Sequence, residues 1–142
     1  MQEVKPQEVK PDGLSLVVFL KCLELIGGPR RLFELRNLTW VPSLMEASYA
    51  VVLREHFNRT EDEIAQFLGL TRQSVRNILR ADPEAVRDRL EGALEERRRT
   101  AHVHIAGGLA RLAYRTIRLE GASLGLLDEV GAALAAFQQI KT

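Results

Sequence analysis

The side chains best suited to recognition chemistry lie between Thr71 and Arg80: Thr71, Arg72, Gln73, Ser74, Arg76, Asn77 and Arg80. An arginine fork can donate two hydrogen bonds to guanine, and a Gln or Asn amide presents the donor and acceptor that adenine complements. Ser, Thr and Arg also hold phosphate oxygens. No acid occurs from Thr71 to Ala81, and the segment 71–80 carries a formal charge of +3. Val75, Ile78 and Leu79 recur at i, i+3 and i+4, which predicts a helix over 71–80 with that stripe turned inward. Arg72, Gln73, Ser74, Arg76, Asn77 and Arg80 then project from the other side, and Thr71 caps the start.

The preceding residues must place that face. Thr60 and Glu63 have the spacing of a capping box, so a helix is expected from Glu61. Ile64, Ala65 and Leu68 fall on one side of it. Gly69 supplies the left-handed turn that other residues resist, and Leu70 fills the corner between the two helices. Small Ala65 permits a close crossing. Three acids, Glu61, Asp62 and Glu63, open the first helix while the second is basic, an asymmetry that turns the second toward a polyanion. Ser43 and Glu46 suggest another capping box and a supporting helix over 44–57, needed because two short helices bury too little to fold alone.

At residues 60–81 the sequence TEDEIAQFLGLTRQSVRNILRA resembles the broad superfamily of helix-turn-helix transcriptional regulators. The resemblance covers about 40 residues when the 44–57 helix is included. It implies that Thr71, Arg72, Gln73, Arg76, Asn77 and Arg80 face a DNA groove or its phosphates. It also implies a scaffold of Ile64, Ala65, Leu68, Gly69, Leu70, Val75 and Ile78. The flanks 1–42 and 83–142 match no regulator subfamily.

The rest of the chain reads as helices. QEVKP occurs at 2–6 and again at 7–11, an extended arm over 1–12 whose glutamates cancel its lysines. Asp12 is placed to cap a helix of about 14–26, stopped by Gly27-Gly28-Pro29. A short helix over 30–37 would turn Leu32, Phe33 and Leu35 inward, and Trp40 reads as a core anchor. Asp82-Pro83 opens a charged helix over 83–99 with Arg87–Glu91 and Glu95–Arg99 pairs. Helices near 102–119 and from Ser123 onward carry apolar stripes, the second of Leu124, Leu127, Val130 with Gly131, Leu134 and Phe137. Small residues at 106, 107, 108, 110 and 113 would let another helix approach closely. These last two helices suit either a dimerisation hairpin or a return onto the 14–38 helices.

Composition restricts the alternatives. The 142 residues are 46% hydrophobic and 27% charged with a net charge of +1, so any affinity for a polyanion must come from local clustering. Sixteen of the twenty cations are arginine, the fork suited to phosphate and carboxylate. Cys22 is the only cysteine, which excludes an internal disulfide and fits a reducing cytoplasm. Residues 14–26 are interrupted by Lys21 and Glu24 and are too short to span a bilayer, so neither a membrane span nor an export segment is expected. His102 and His104 fall on different faces of a helix and His56 is remote, so no metal site is expected. No phosphate-binding glycine loop or nucleophile elbow occurs, and neither a cofactor nor an enzymatic activity is expected.

The expected fold is therefore all-α: a tri-helical helix-turn-helix core over 43–81, with N-terminal helices in 13–42 and C-terminal helices in 82–142. The expected function is a cytoplasmic DNA-binding transcriptional regulator that binds double-stranded DNA as a homodimer. A helical protein-interaction adaptor or an RNA-binding module would use the same basic helix.

Overall fold

The computed structural model describes residues 9–37, 39–91, 104–121 and 125–140, with the side chain of Glu91 excepted. Among these residues there are eight helices and no strand, so the fold is all-α. They are α1 (Pro11–Leu25), α2 (Arg31–Glu34), α3 (Val41–Glu55), α4 (Glu61–Leu68), α5 (Arg72–Arg80), α6 (Pro83–Glu91), α7 (Ile105–Glu120) and α8 (Gly125–Gln138). No helix among the described residues is long and apolar enough to cross a membrane.

Two helices form the centre. α3 buries Leu44, Ala47, Ser48, Ala50, Val51, Val52 and Leu53, and it touches α1, α4, α5 and α7. α7 buries every residue from Ile105 to Ala110, together with Leu112 and Ala113, and it touches α1, α3, α5 and α6. With neighbours on several sides, neither helix can afford a long polar side chain at these positions. Ser48 is accommodated because its hydroxyl donates back to the Leu44 carbonyl at 2.8 Å. Cys22 of α1 is fully buried in this core, and that burial pushes its thiol up to about 12. A thiol so placed is a small apolar filler and a poor nucleophile at neutral pH.

Helix ends explain several departures from the sequence expectations. Pro11 begins α1 and Pro42 lies in the first turn of α3, where a fixed φ favours helix and the missing N–H costs nothing. Both helices therefore start earlier than expected. Asp12 falls inside α1 and accepts a hydrogen bond from the Tyr49 hydroxyl of α3 instead of capping. Ser43 falls inside α3, and that helix has no side-chain cap. Trp40 becomes the extended N-cap residue and is 62% exposed, so it is not a core anchor. α2 is a single turn; Leu35 is buried beside it, while Phe33 points outward and is 69% exposed.

The end of α1 follows the expected glycine stop. The Gly28 N–H donates to the Leu23 carbonyl and the Gly27 N–H to that of Glu24, with φ of +112° and +102° respectively. This pairing satisfies carbonyls that the helix itself leaves open. His104 caps α7 by accepting the Gly107 N–H on Nδ1 at 2.8 Å. Its partial burial, only partly offset by its own backbone hydrogen bond, lowers its pKa and favours the neutral ring that this bond needs. His102 and the 92–99 part of the expected charged helix, with the Glu95–Arg99 pair, lie outside the described residues. So does the Glu91 carboxylate expected to meet Arg87, which lies 4.0 Å from Glu84.

The small residues of α7 do permit a close approach, and the approaching element belongs to the same chain. A Cβ on Gly107 would stand 2.7 Å from the Ile78 carbonyl oxygen and 2.8 Å from Ile78 Cα. A Cβ on Gly108 would stand 2.1 Å from Val86 Cγ2 and 3.0 Å from the Asp82 carbonyl oxygen. The two glycines thus form a notch for the corner between α5 and α6. Gly108→Ala should lower stability by about 1–3 kcal/mol, the usual range for overpacking. Gly13→Ala, where a Cβ meets open space, should be neutral or slightly stabilising. Urea unfolding of the two variants beside the parent checks the contrast, and equal midpoints would contradict it.

Candidate nucleic-acid interface

α4 starts at a complete capping box. Thr60 Oγ1 accepts the Glu63 N–H at 3.1 Å, and Glu63 Oε1 accepts the Thr60 N–H at 3.1 Å. Hydrogen bonding to Thr60, from its backbone N–H foremost and then its side chain, holds the Glu63 carboxyl below its ordinary pKa. The helix ends at Gly69, whose φ of 68° and ψ of 31° lie in the left-handed region. The Leu70 N–H then returns to the Ala65 carbonyl at 3.0 Å, and Leu70 packs against the core. Thr71 follows with an extended backbone and accepts the Ser74 N–H on Oγ1 at 3.0 Å. One residue in a left-handed conformation and one side-chain cap thus redirect the chain from α4 to α5.

α5 is anchored from one side. Val75 and Ile78 are buried and Leu79 is half-buried against the core. Thr71, Arg72, Gln73, Asn77 and Arg80 are exposed, and Ser74 and Arg76 are intermediate. All seven residues singled out in the sequence therefore lie on or beside one helix. They differ in what they touch.

Two of the three arginines are held by α4. Arg76 places Nε and a terminal nitrogen each 3.2 Å from Glu61 Oε2, with its side chain 31% exposed. Arg72 lies 3.5 Å from the same oxygen and 3.5 Å from Asp62 Oδ1. Arg80 has no ion pair among the described residues. The acids that open α4 therefore cap that helix and also neutralise much of the neighbouring basic face. Sequence inspection saw the contrast between an acidic α4 and a basic α5 but missed this contact. Glu61 is eleven and fifteen residues before its partners, a separation with no local periodicity to reveal it.

The polar amides also pair. Gln73 Nε2 donates to Asn77 Oδ1 at 2.9 Å across one helical turn. The bond leaves Gln73 Oε1 as an acceptor and the Asn77 amide hydrogens as donors toward solvent. The Thr71 hydroxyl donates to Ser74 Oγ at 2.9 Å. Such contacts limit the rotamers of side chains that would otherwise lose that freedom on binding.

Elsewhere among the described residues, no group of three or more His, Cys, Asp or Glu side chains is arranged to hold a metal ion. Comparison with protein-family models, with curated proteins and with solved structures returned no match.

The Glu61 contact has a pH signature. Partial desolvation, the largest single influence, raises the carboxyl pKa, but the combined hydrogen bonds and charges of Arg76 and then Arg72 bring it below 4.5. A folded-state pKa below the unfolded one gives stability that is present above the unfolded value and lost as pH falls through the folded value. Glu61→Gln should therefore be less stable than the parent at neutral pH, with the gap closing as pH falls through the lowered folded-state value. Urea midpoints at several pH values test this, and a gap that stays constant or widens in acid would refute it.

Proposed function

We propose that the chain is a sequence-specific DNA-binding transcriptional regulator. In this reading α4 and α5 form a helix-turn-helix, α3 supports the pair, and α5 enters the major groove of double-stranded DNA. The observation that carries it is the division of α5 between a buried stripe of Val75 and Ile78 and an outer face free of acids. Gln73 and Asn77 present base-reading amides there, and Arg80 beside them is exposed with no ion pair among the described residues. The N-terminus of α5, where the Thr71 side chain takes up only the Ser74 N–H, adds backbone N–H groups of the kind that hold phosphate. The reading assigns the chain no catalysis and no cofactor, and it places the protein in the cytoplasm with its DNA.

Arg72 and Arg76 have a double role in this proposal. Free of DNA, they brace α5 against Glu61; on DNA, Glu61 competes with phosphate for them. A single short helix reads only a few base pairs, so useful specificity follows from two copies on two half-sites.

Selection of genomic fragments with purified protein at moderate salt, followed by gel-shift titration, tests the reading. Asn77→Ala or Gln73→Ala should cost about 1–3 kcal/mol on the selected duplex and relax preference at one base pair. Arg80→Ala should weaken binding to every duplex and make the salt dependence shallower by about one unit of slope. Failure to recover any fragment, or equal competition by structured RNA, would overturn it.

The same titration gives a separate prediction for Glu61. Removing its charge should tighten binding to all duplexes by roughly two- to fivefold, the scale of one exposed ion pair. Unchanged affinity for Glu61→Gln would show that the carboxylate does not compete with DNA.

A further inference from the structure

α8 contrasts with the rest of the fold. Among the described residues it packs appreciably only on α1, and Leu126 is the one of its residues that is not exposed. Leu127, Val130, Leu134 and Phe137 are 39%, 41%, 59% and 70% exposed, and Ile140 just beyond the helix is 69% exposed. The first four follow a spacing of three, four and three residues. That is the alternation with which one helix presents a continuous seam to another helix.

We propose that this seam is covered by the α8 of a second copy, with the two helices antiparallel. The spacing is symmetric about Ala132, so an antiparallel pair sets Leu127 against Phe137 and Val130 against Leu134 of the second copy. Each of these pairs matches a shorter side chain with a longer one. A parallel pair would instead set Phe137 against Phe137.

Charge selects the same arrangement. Asp128 and Glu129 are the only charged residues in α8, and both lie near its N-terminus. A parallel pair would bring these acids against their own copies. The antiparallel pair moves each acid away from its own copy, by about 9–12 Å along the axis. An acidic polar face without a lysine or arginine also disfavours an anionic lipid surface, which calls for the opposite sign.

The area suffices for a modest dimer. Five apolar side chains at roughly 100 Å² each give about 1,000 Å² over the two copies, at the lower bound for a specific interface. Such a dimer would dissociate on dilution. Occupancy of two neighbouring half-sites would then favour it by raising the local concentration of the second copy.

This inference extends the two-copy reading above, but its test needs no DNA. Sedimentation of the parent over a concentration series should show a monomer–dimer equilibrium. Phe137→Glu combined with Leu134→Asp should remain monomeric, and should match the parent's unfolding midpoint at concentrations where the parent is itself monomeric, because neither side chain belongs to the core. A parent that is monomeric throughout the series would overturn the proposal. So would a doubly substituted variant that still dimerises.

Disulfide capture fixes the orientation and does not depend on that variant folding well. Leu127→Cys mixed with Phe137→Cys should form the crossed dimer under mild oxidation, whereas Leu127→Cys alone should not. The fully buried Cys22 does not compete. Self-linked Leu127→Cys would indicate the parallel pair and refute the antiparallel one. If dimerisation holds while no duplex is bound, the DNA reading fails and this one stands.

Discussion

The contact on which the arrangement depends is the seating of the α5–α6 corner in the Gly107-Gly108 notch of α7. α5 has nine residues, too few for a helix to persist alone in water, and it buries only Val75 and Ile78 completely. Its stability must come from its supports. α4 and α3 supply part of that support, and α7 supplies the rest through backbone atoms of Ile78 that approach where a side chain would stand. A contact between backbones has fewer rotamers to relax than one between long side chains. It fixes where α5 lies along the core, and so where its outer residues project.

That mechanical support is matched by electrostatic restraint on the outer side. Glu61 holds Arg76 and, more loosely, Arg72, while Gln73 and Asn77 hold each other. A solvent-facing ion pair contributes little to stability, typically well under 1 kcal/mol. Its consequence for recognition is larger than its energy, because it sets which cations a passing polyanion meets unpaired. Under the proposed DNA binding, Arg80, which has no ion pair among the described residues, would meet it directly, whereas Arg72 and Arg76 would exchange a carboxylate for a phosphate. Net charge alone would miss this, since it counts all three arginines alike.

Much of this was legible in the residues, and the gaps have physical causes. The segment from Thr60 to Arg80 was readable because each boundary has a local chemical reason: the Thr60–Glu63 box, the Gly69 turn and the Thr71 cap. Local rules failed where two of them competed. At Val41–Ser43 a proline suited to the first turn of a helix stands immediately before the serine read as a cap. The earlier proline start prevailed and moved Trp40 outward. Phe33 was misread because the helix expected over 30–37 is a single turn, too short to sustain a buried stripe. The Glu61–Arg76 contact was invisible for a different reason: it joins two helices, and only their crossing brings the pair together.

The two C-terminal helices show how similar patterns can have different outcomes. Both α7 and α8 are rich in alanine, glycine and leucine, and both were candidates for either the core or an outside surface. α7 carries adjacent glycines where a backbone must pass, and it is drawn into the centre on several sides. Gly125 and Gly131 of α8 face open space, so no comparable approach is built there. Its larger apolar residues instead recur along one line and remain exposed. A helix whose small residues cluster at one end can admit a neighbour within the fold, whereas one whose large residues form a regular seam presents a surface to a similar helix. The position of the bulk, more than its amount, therefore separates the helix that completes this core from the one left on its surface.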